Sequence, residues 1–188
     1  IESAAKIVSE MDSDDAVDVL EEMDATTKHK IVGMLDKEAS DDVRLLFSYD
    51  DDEIGSRMTT NFIMIHNHLT IRQAMRELVE QAGENDNIST IYVIDEEDKF
   101  YGAIDLKDLI IAREYTDLED IISHSYPYVM DHEKVSDCID KIRDYAEDSI
   151  PVLDNDNKLL GVITSQSMVD LVDDEMGEDY AMFAGLTA

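Results

Sequence analysis

Over roughly the first 50 residues, apolar side chains recur only at steps of three and four, the spacing of helices that bury one face. Ala16, Val19, Leu20 and Met23 form one such stripe; Ile31, Met34 and Leu35 form another. Helices are predicted to restart at Asp12-Ser13-Asp14-Asp15, Asp24-Ala25-Thr26-Thr27 and Ala39-Ser40-Asp41-Asp42, where capping residues are followed by acid in a first turn. Met11-Asp12, Met23-Asp24 and Leu35-Asp36 recur every 12 residues, the length of a short helix plus a tight turn. Such units bury their apolar sides only by stacking.

From about residue 57 the pattern changes to β-branched strands alternating with amphipathic helices. Residues 60–65, 90–94 and 101–104 read as strands, and 70–81 and 106–112 as helices. The order then repeats. Thr90-Ile91-Tyr92-Val93-Ile94-Asp95 through Ile104 superimposes on Ser149-Ile150-Pro151-Val152-Leu153-Asp154 through Ile163 at a constant offset of 59. Upstream, Ile71, Ala74, Met75 and Leu78 correspond to Val135, Cys138, Ile139 and Ile142, the first copy carrying a longer loop at 83–88. The expected fold class is α+β: an N-terminal α-helical superhelical stack followed by a tandem pair of β-α-β-β-α repeats.

Charge narrows the partners. Among 188 residues, 46 are Asp or Glu and 15 are Lys or Arg, a formal net charge of -31. Nucleic acid is excluded, because a phosphate backbone is held by a dense Lys/Arg patch that no segment supplies. An acidic membrane surface is an equally poor partner. No apolar run approaches the ~18–20 residues of a membrane helix. Cys138, the lone cysteine, has no intrachain disulfide partner. The chain opens on Ile1 and ends in the apolar Met182-Phe183-Ala184-Gly185-Leu186, and so reads as part of something longer.

The acids themselves are patterned. Asp170, Asp174 and Glu178 fall at i, i+4 and i+8 with Asp173 and Glu175 alongside, while Asp14, Asp18 and Glu22 share that spacing opposite an apolar stripe. Apposing two such faces costs up to ~4 kcal/mol per close pair at an effective dielectric of 20, unless cations lie between them. The faces therefore read either as a solvated acidic surface or as a cation-binding seam. Oxygen donors without a Cys/His set suit Mg2+ or Ca2+ and argue against zinc. Asp95-Glu96-Glu97-Asp98-Lys99 and Asp154-Asn155-Asp156-Asn157-Lys158 start like Ca2+ loops, but Lys holds the fifth position and Gly is missing from the sixth, so both read as acidic hairpin turns. His66-Asn67-His68 reads as a polar turn, and Cys138 as a core residue. No phosphate-binding glycine loop or nucleophile motif is present, and the chain reads as a non-enzyme.

The repeat, with its Asp-rich turn and a strand ending in Gly-x-Ile before a helix, resembles the cystathionine-β-synthase (CBS) motif over roughly residues 57–178. Together with the acidic helices before it, the pair is similar to the cytosolic region of MgtE-type magnesium transporters. The lead-in Tyr49-Asp50-Asp51-Asp52-Glu53-Ile54-Gly55-Ser56-Arg57-Met58-Thr59 carries that family's acidic-x-x-Gly-x-x-Met-Thr pattern, and Asp170 through Asp179 resembles its run towards a membrane pore. The resemblance implies a partial N-type domain at 1–56, CBS domains at 57–120 and 121–178, and the start of a connecting helix at 179–188. It also implies a homodimer through the CBS pair, a covalently attached transmembrane domain, and a place at the cytoplasmic face of the cell membrane. Several Mg2+ ions would bridge acidic faces and favour a compact, pore-closed state. The expected ligands are Asp14, Asp18, Asp170, Asp173, Asp174, Glu175, Glu178 and Asp179, with Gly55 offering a backbone carbonyl. CBS pairs also hold adenosine nucleotides such as ATP, which the resemblance places at Lys107 and Asp108; Ser167 stands where the second copy's matching aspartate would be. The alternatives are a nucleotide-sensing CBS module and an acidic scaffold for a basic protein.

Overall fold

The structure, a computed structural model, describes residues 1–144 and 148–186. Four helices come first: α1 (Glu2–Glu10), α2 (Ser13–Glu21), α3 (Ala25–Met34) and α4 (Lys37–Phe47), with α1 against α3 and α2 against α4. The 12-residue beat is a beat of N-caps, since Asp12, Asp24 and Asp36 precede α2, α3 and α4. Asp24 accepts the Thr26 and Thr27 amides, and Asp36 accepts the Ala39 amide. The restart expected at residues 39–42 lies inside α4, because Asp36 has already capped the helix. Asp12 is diverted: its carboxylate accepts Asn61 Nδ2 at 2.8 Å instead of capping α2. The buried face of α2 is Ser13, Ala16, Val17 and Leu20. That i, i+3, i+4, i+7 set begins on a polar residue bonded to Thr60, which explains why Val19 is exposed against expectation. Met34 is exposed too, while Ile31 and Leu35 are buried.

The first repeat comprises β1 (Ile63–His66), α5 (Ile71–Ala82), β2 (Thr90–Ile94), β3 (Phe100–Asp105) and α6 (Leu106–Ile111). The second comprises β4 (Val129–Met130), α7 (Val135–Asp144), β5 (Ser149–Leu153), β6 (Leu159–Thr164) and α8 (Ser165–Leu186). In each sheet the middle strand runs parallel to the first and antiparallel to the third. The repeat extends to its irregularities: bulges fall at Val93/Ile94 and Val152/Leu153, and Asp98 and Asn157 have φ of 63° and 61°. Asp95 accepts the Glu97 and Lys99 amides, and Asp154 those of Asp156 and Lys158, so both acidic segments are hairpin turns. Thr70 and Gln73 close a capping box ahead of α5. The first strand starts later than its hydrophobicity predicts, because residues 59–61 are engaged elsewhere.

That engagement is an exchange. Thr59 pairs with Val162 of β6, and Ser123 pairs with Ala103 of β3, so each lead-in adds to the other unit's sheet. The exchange requires glycine: a Cβ on Gly102 would stand 2.6 Å from the Ser123 carbonyl oxygen, and one on Gly161 2.8 Å from that of Thr59. Tyr92 fills the seam between the units, its hydroxyl bonded to that of Ser149 and its ring meeting Phe62 and Tyr126 edge-on.

Burial divides the molecule differently from chain order. One core runs from α1–α4 through Tyr49, Ile54 and Met58 into the second unit, taking in Val129, Cys138, Ile150, Val152, Ile163 and Leu171. The first unit closes around Ile63, Ile91, Ile104 and Leu109. The helical stack is thus joined by covalent linkage to the first unit but seated on the second.

Candidate metal-binding cleft

That seating brings the start of α2 opposite the start of α8. Between them lies a cleft of about 420 Å3 lined by Asp12, Asp14, Asp15 and Asp18, by Thr164, Gln166, Ser167, Asp170 and Leu171, and by Ser56, Arg57 and Thr59. Asp86 and Asn87, from the longer loop of the first unit, complete the lining. Asn61 organises this assembly. Buried at 7% exposure, it donates to Asp12, accepts the Asp86 amide at 2.9 Å, and gives its carbonyl to Asn87 Nδ2 at 2.7 Å.

Six aspartates and one arginine line the cleft. Among the described residues, Asp12, Asp14 and Asp15 bring carboxylate oxygens within 4.8 Å of one another. Asp14 Oδ1 is buried without a hydrogen-bond partner. Burial pushes the Asp14 carboxyl above its usual range, and the Asp15 charge adds to the shift. Asp42, nearby, shows the contrast: burial raises it as well, yet Thr60 Oγ1 donates to its Oδ2 at 2.9 Å. A buried oxygen with no donor costs about 1–3 kcal/mol. A cation would remove that cost. The donors are carboxylate, amide and hydroxyl oxygens, with no Cys or His in the lining, a set suited to Mg2+, which retains waters and takes one or two carboxylates at a time.

Of the residues singled out from the sequence, Asp14, Asp18 and Asp170 meet in this cleft. Of the two readings open for the acidic face of α2, Asp14 fits the seam, since it is half-buried in the cleft. Asp173 and Asp174 are exposed on α8. Glu175, Glu178 and Asp179 belong to the same helix, and their side chains lie outside the described residues. Gly55 is buried beside the cleft, its amide bonded to the Asp131 carbonyl; a Cβ there would stand 2.8 Å from the Tyr49 ring, so close approach accounts for the glycine. Lys107 and Asp108 are exposed in the first turn of α6, where Asp105 caps the Lys107 amide. Asp12, Asp15 and Asp86 were not singled out. Their signals were a capping aspartate amid further acids and a loop longer than its repeat.

Comparison with known proteins agrees with this architecture. Residues 52–115 and 118–174 match the CBS domain. The chain belongs to the CBS-domain family. Residues 1–52, ahead of the pair, match the MgtE intracellular N domain, so the whole is an MgtE-type N domain followed by a CBS pair. The magnesium transporter MgtE of Enterococcus faecalis (strain ATCC 700802 / V583) is 36% identical over 79% of this chain and 33% of its own length. The fold matches the crystal structure of the soluble part of a magnesium transporter with a TM-score of 0.87 at 36% identity, covering 93% of this chain and 68% of that one. It also matches the cytosolic domain of the Mg2+ channel MgtE in complex with ATP, with a TM-score of 0.82 at 27% identity over 89% and 68% of the two chains. The chain spans 33% to 40% of the length of the MgtE relatives it matches. No helix among the described residues is long and apolar enough to cross a membrane.

Proposed function

We propose that this CBS-domain chain is the Mg2+-sensing regulatory region of a magnesium transporter or channel, working by linkage and not by catalysis. Mg2+ entering the cleft bridges Asp14 and Asp18 on α2 to Asp170 on α8, with Asp12 and Asp15 completing its hydrated shell. The ion binds the closed arrangement better than a splayed one and shifts the population towards it. When Mg2+ falls, repulsion among the acids opens the seam. α8 would carry that change towards an attached transmembrane domain at the cytoplasmic face of the membrane, with further ions along Asp173, Asp174, Glu175, Glu178 and Asp179; high Mg2+ would close the pore. The exposed Val79, Ile110 and Ile111 on α5 and α6 offer an apolar face for the second CBS pair of a homodimer. The observation that supports the sensor reading is the buried, unpartnered Asp14 oxygen between two acidic helices. Small-angle scattering tests it: the chain should contract in millimolar Mg2+ and not in NaCl of equal ionic strength. Identical profiles would overturn it.

The solved ATP complex of a similar domain supports a second, compatible role, adenosine-nucleotide sensing through Asp108 with Lys107 near a phosphate. ATP should then raise the melting temperature at fixed Mg2+, and Asp108→Ala should abolish the rise. No rise in the parent chain would reject this role.

A further inference from the structure

The segment after α4 is stitched to the loop that precedes α7. Ile54 N donates to the Glu133 carbonyl at 2.8 Å, Gly55 N to that of Asp131 at 2.9 Å, and Val135 N to that of Asp52 at 2.8 Å. His132 stands over this stitching. We propose that the seam is a proton-dependent latch between the N-terminal helices and the second CBS unit, closed by His132 in its imidazolium form and loosened when the ring becomes neutral.

The geometry sets both ring nitrogens against acids. His132 Nδ1 lies 2.6 Å from Glu53 Oε2, and Nε2 lies 3.5 Å from Asp131 Oδ2. A neutral imidazole carries no charge and would turn a lone pair towards one of the carboxylates; the imidazolium donates to Glu53 and forms an ion pair with Asp131 as well. Neither carboxylate is free to turn away. Glu53 Oε1 is held by the Asp50 amide, while Asp131, 4% exposed, accepts the Tyr49 hydroxyl on Oδ2 at 2.8 Å and the His132 amide on Oδ1. The Tyr49 ring lies 5.2 Å from the imidazole. The charges that act on His132 are acidic: Glu53 and Asp50 from the junction, and Asp131 from its own loop, with the Lys134 ammonium near enough to Glu53 and Asp50 to share their field. The neighbouring lysines are paired elsewhere, Lys134 with Asp52 and Lys141 with Glu133. None of Tyr49, Glu53, Asp131 or His132 lines the acidic cleft, so the latch is separate from the metal reading.

The Glu53 carboxylate holds the His132 proton above the ordinary 6.5, and Asp131 adds to it. For a basic group raised in the folded state, the stabilisation is complete below the ordinary value and disappears as pH rises through the raised one. The latch is thus closed in mild acid and opens on the alkaline side.

Two NMR measurements on the full chain, from about pH 6 to about pH 9, test this. One follows the His132 ring resonances. The other follows exchange of the Ile54 and Gly55 amides, divided by the intrinsic base-catalysed rate. His132 should titrate above 6.5, with protection of both amides lost in the same step. Glu53→Gln should bring the His132 midpoint and the loss of protection down together, and His132→Gln should remove the step. A His132 midpoint at or below 6.5, or the same protection step in His132→Gln, would overturn the proposal.

Discussion

Asp14→Asn discriminates most sharply between a metal seam and an ordinary acidic surface. The substitution keeps the shape, removes one charge and supplies an N–H donor towards its neighbours. Carboxylate oxygens of Asp12, Asp14 and Asp15 fall within 4.8 Å. At that separation Coulomb's law gives about 0.9 kcal/mol per pair in bulk water and about 3.5 kcal/mol at an effective dielectric of 20. Asp14 is half-buried, so the repulsion it feels lies between these limits. Relief of that repulsion should stabilise the metal-free variant by about 1–3 kcal/mol, and each kcal/mol raises the melting temperature of a chain this size by about 2–4 °C. Mg2+ should then reverse the order of gains. At about 100 times its Kd, Mg2+ adds about 2.7 kcal/mol to the parent chain; a tenfold weaker site adds only about 1.4 kcal/mol. The assay is thermal unfolding in EDTA, in Mg2+ and in NaCl of matched ionic strength. Acid provides a check on sign. The raised Asp14 pKa favours folding fully below the ordinary value of 3.8, an advantage lost as pH rises through the raised one, so the gap between variant and parent should narrow in acid. An EDTA-treated variant less stable than the parent, or one with an equal gain from Mg2+, would refute the reasoning.

Ile54 is fully buried in the core shared by the N-terminal helices and the second unit, so Ile54→Ala should cost about 2–5 kcal/mol, read as a lower melting temperature. Gly161→Ala places a methyl 2.8 Å from the Thr59 carbonyl oxygen and should destabilise by about 1–3 kcal/mol. Gly33→Ala, in α3 with nothing within 4 Å of the new Cβ, should instead gain up to about 1 kcal/mol in the same melting assay. The Cys138 thiol is fully buried, and desolvation with the Glu133 charge pushes its pKa up to about 12. It should resist iodoacetamide at neutral pH in the folded chain and react once urea unfolds it, as followed by mass spectrometry.

Local devices were legible because their causes are local. The aspartate beat and the acidic hairpin turns each depend on atoms a few residues apart, and the structure keeps them. The offset of 59 carried further still, down to matching bulges and a matching pair of positive-φ residues, since two copies of one pattern face the same backbone constraints. What failed was long-range. Hydrophobic periodicity along α2 chose Val19 over Val17, because the buried face begins at Ser13, whose hydroxyl is satisfied by Thr60 nearly fifty residues on. The acidic face of α2 left two readings open for the same reason: a polar face carries no mark of the domain that will cover it.

The exchange of lead-in segments explains why the cleft exists. Had Thr59 paired with the sheet of the first unit, the N-terminal helices would be seated beside β1 and α2 would have no reason to face α8. Pairing Thr59 with Val162 instead carries Ile54 and Met58 into the second unit's core and delivers Asp14 and Asp18 to the helix that leaves it. The glycine at 161 permits the crossing, and Asn61, two residues beyond the pairing, fixes both Asp12 and the loop bearing Asp86. The acids alone therefore do not make the site. A solvated acidic helix tolerates its charges at a few tenths of a kcal/mol per pair, whereas the same helix held against a second one by an apolar core has no such outlet. The apolar contact at Ile54 and Met58 holds the two acidic elements near each other, and leaves the Asp14 oxygen between them buried without a hydrogen-bond partner.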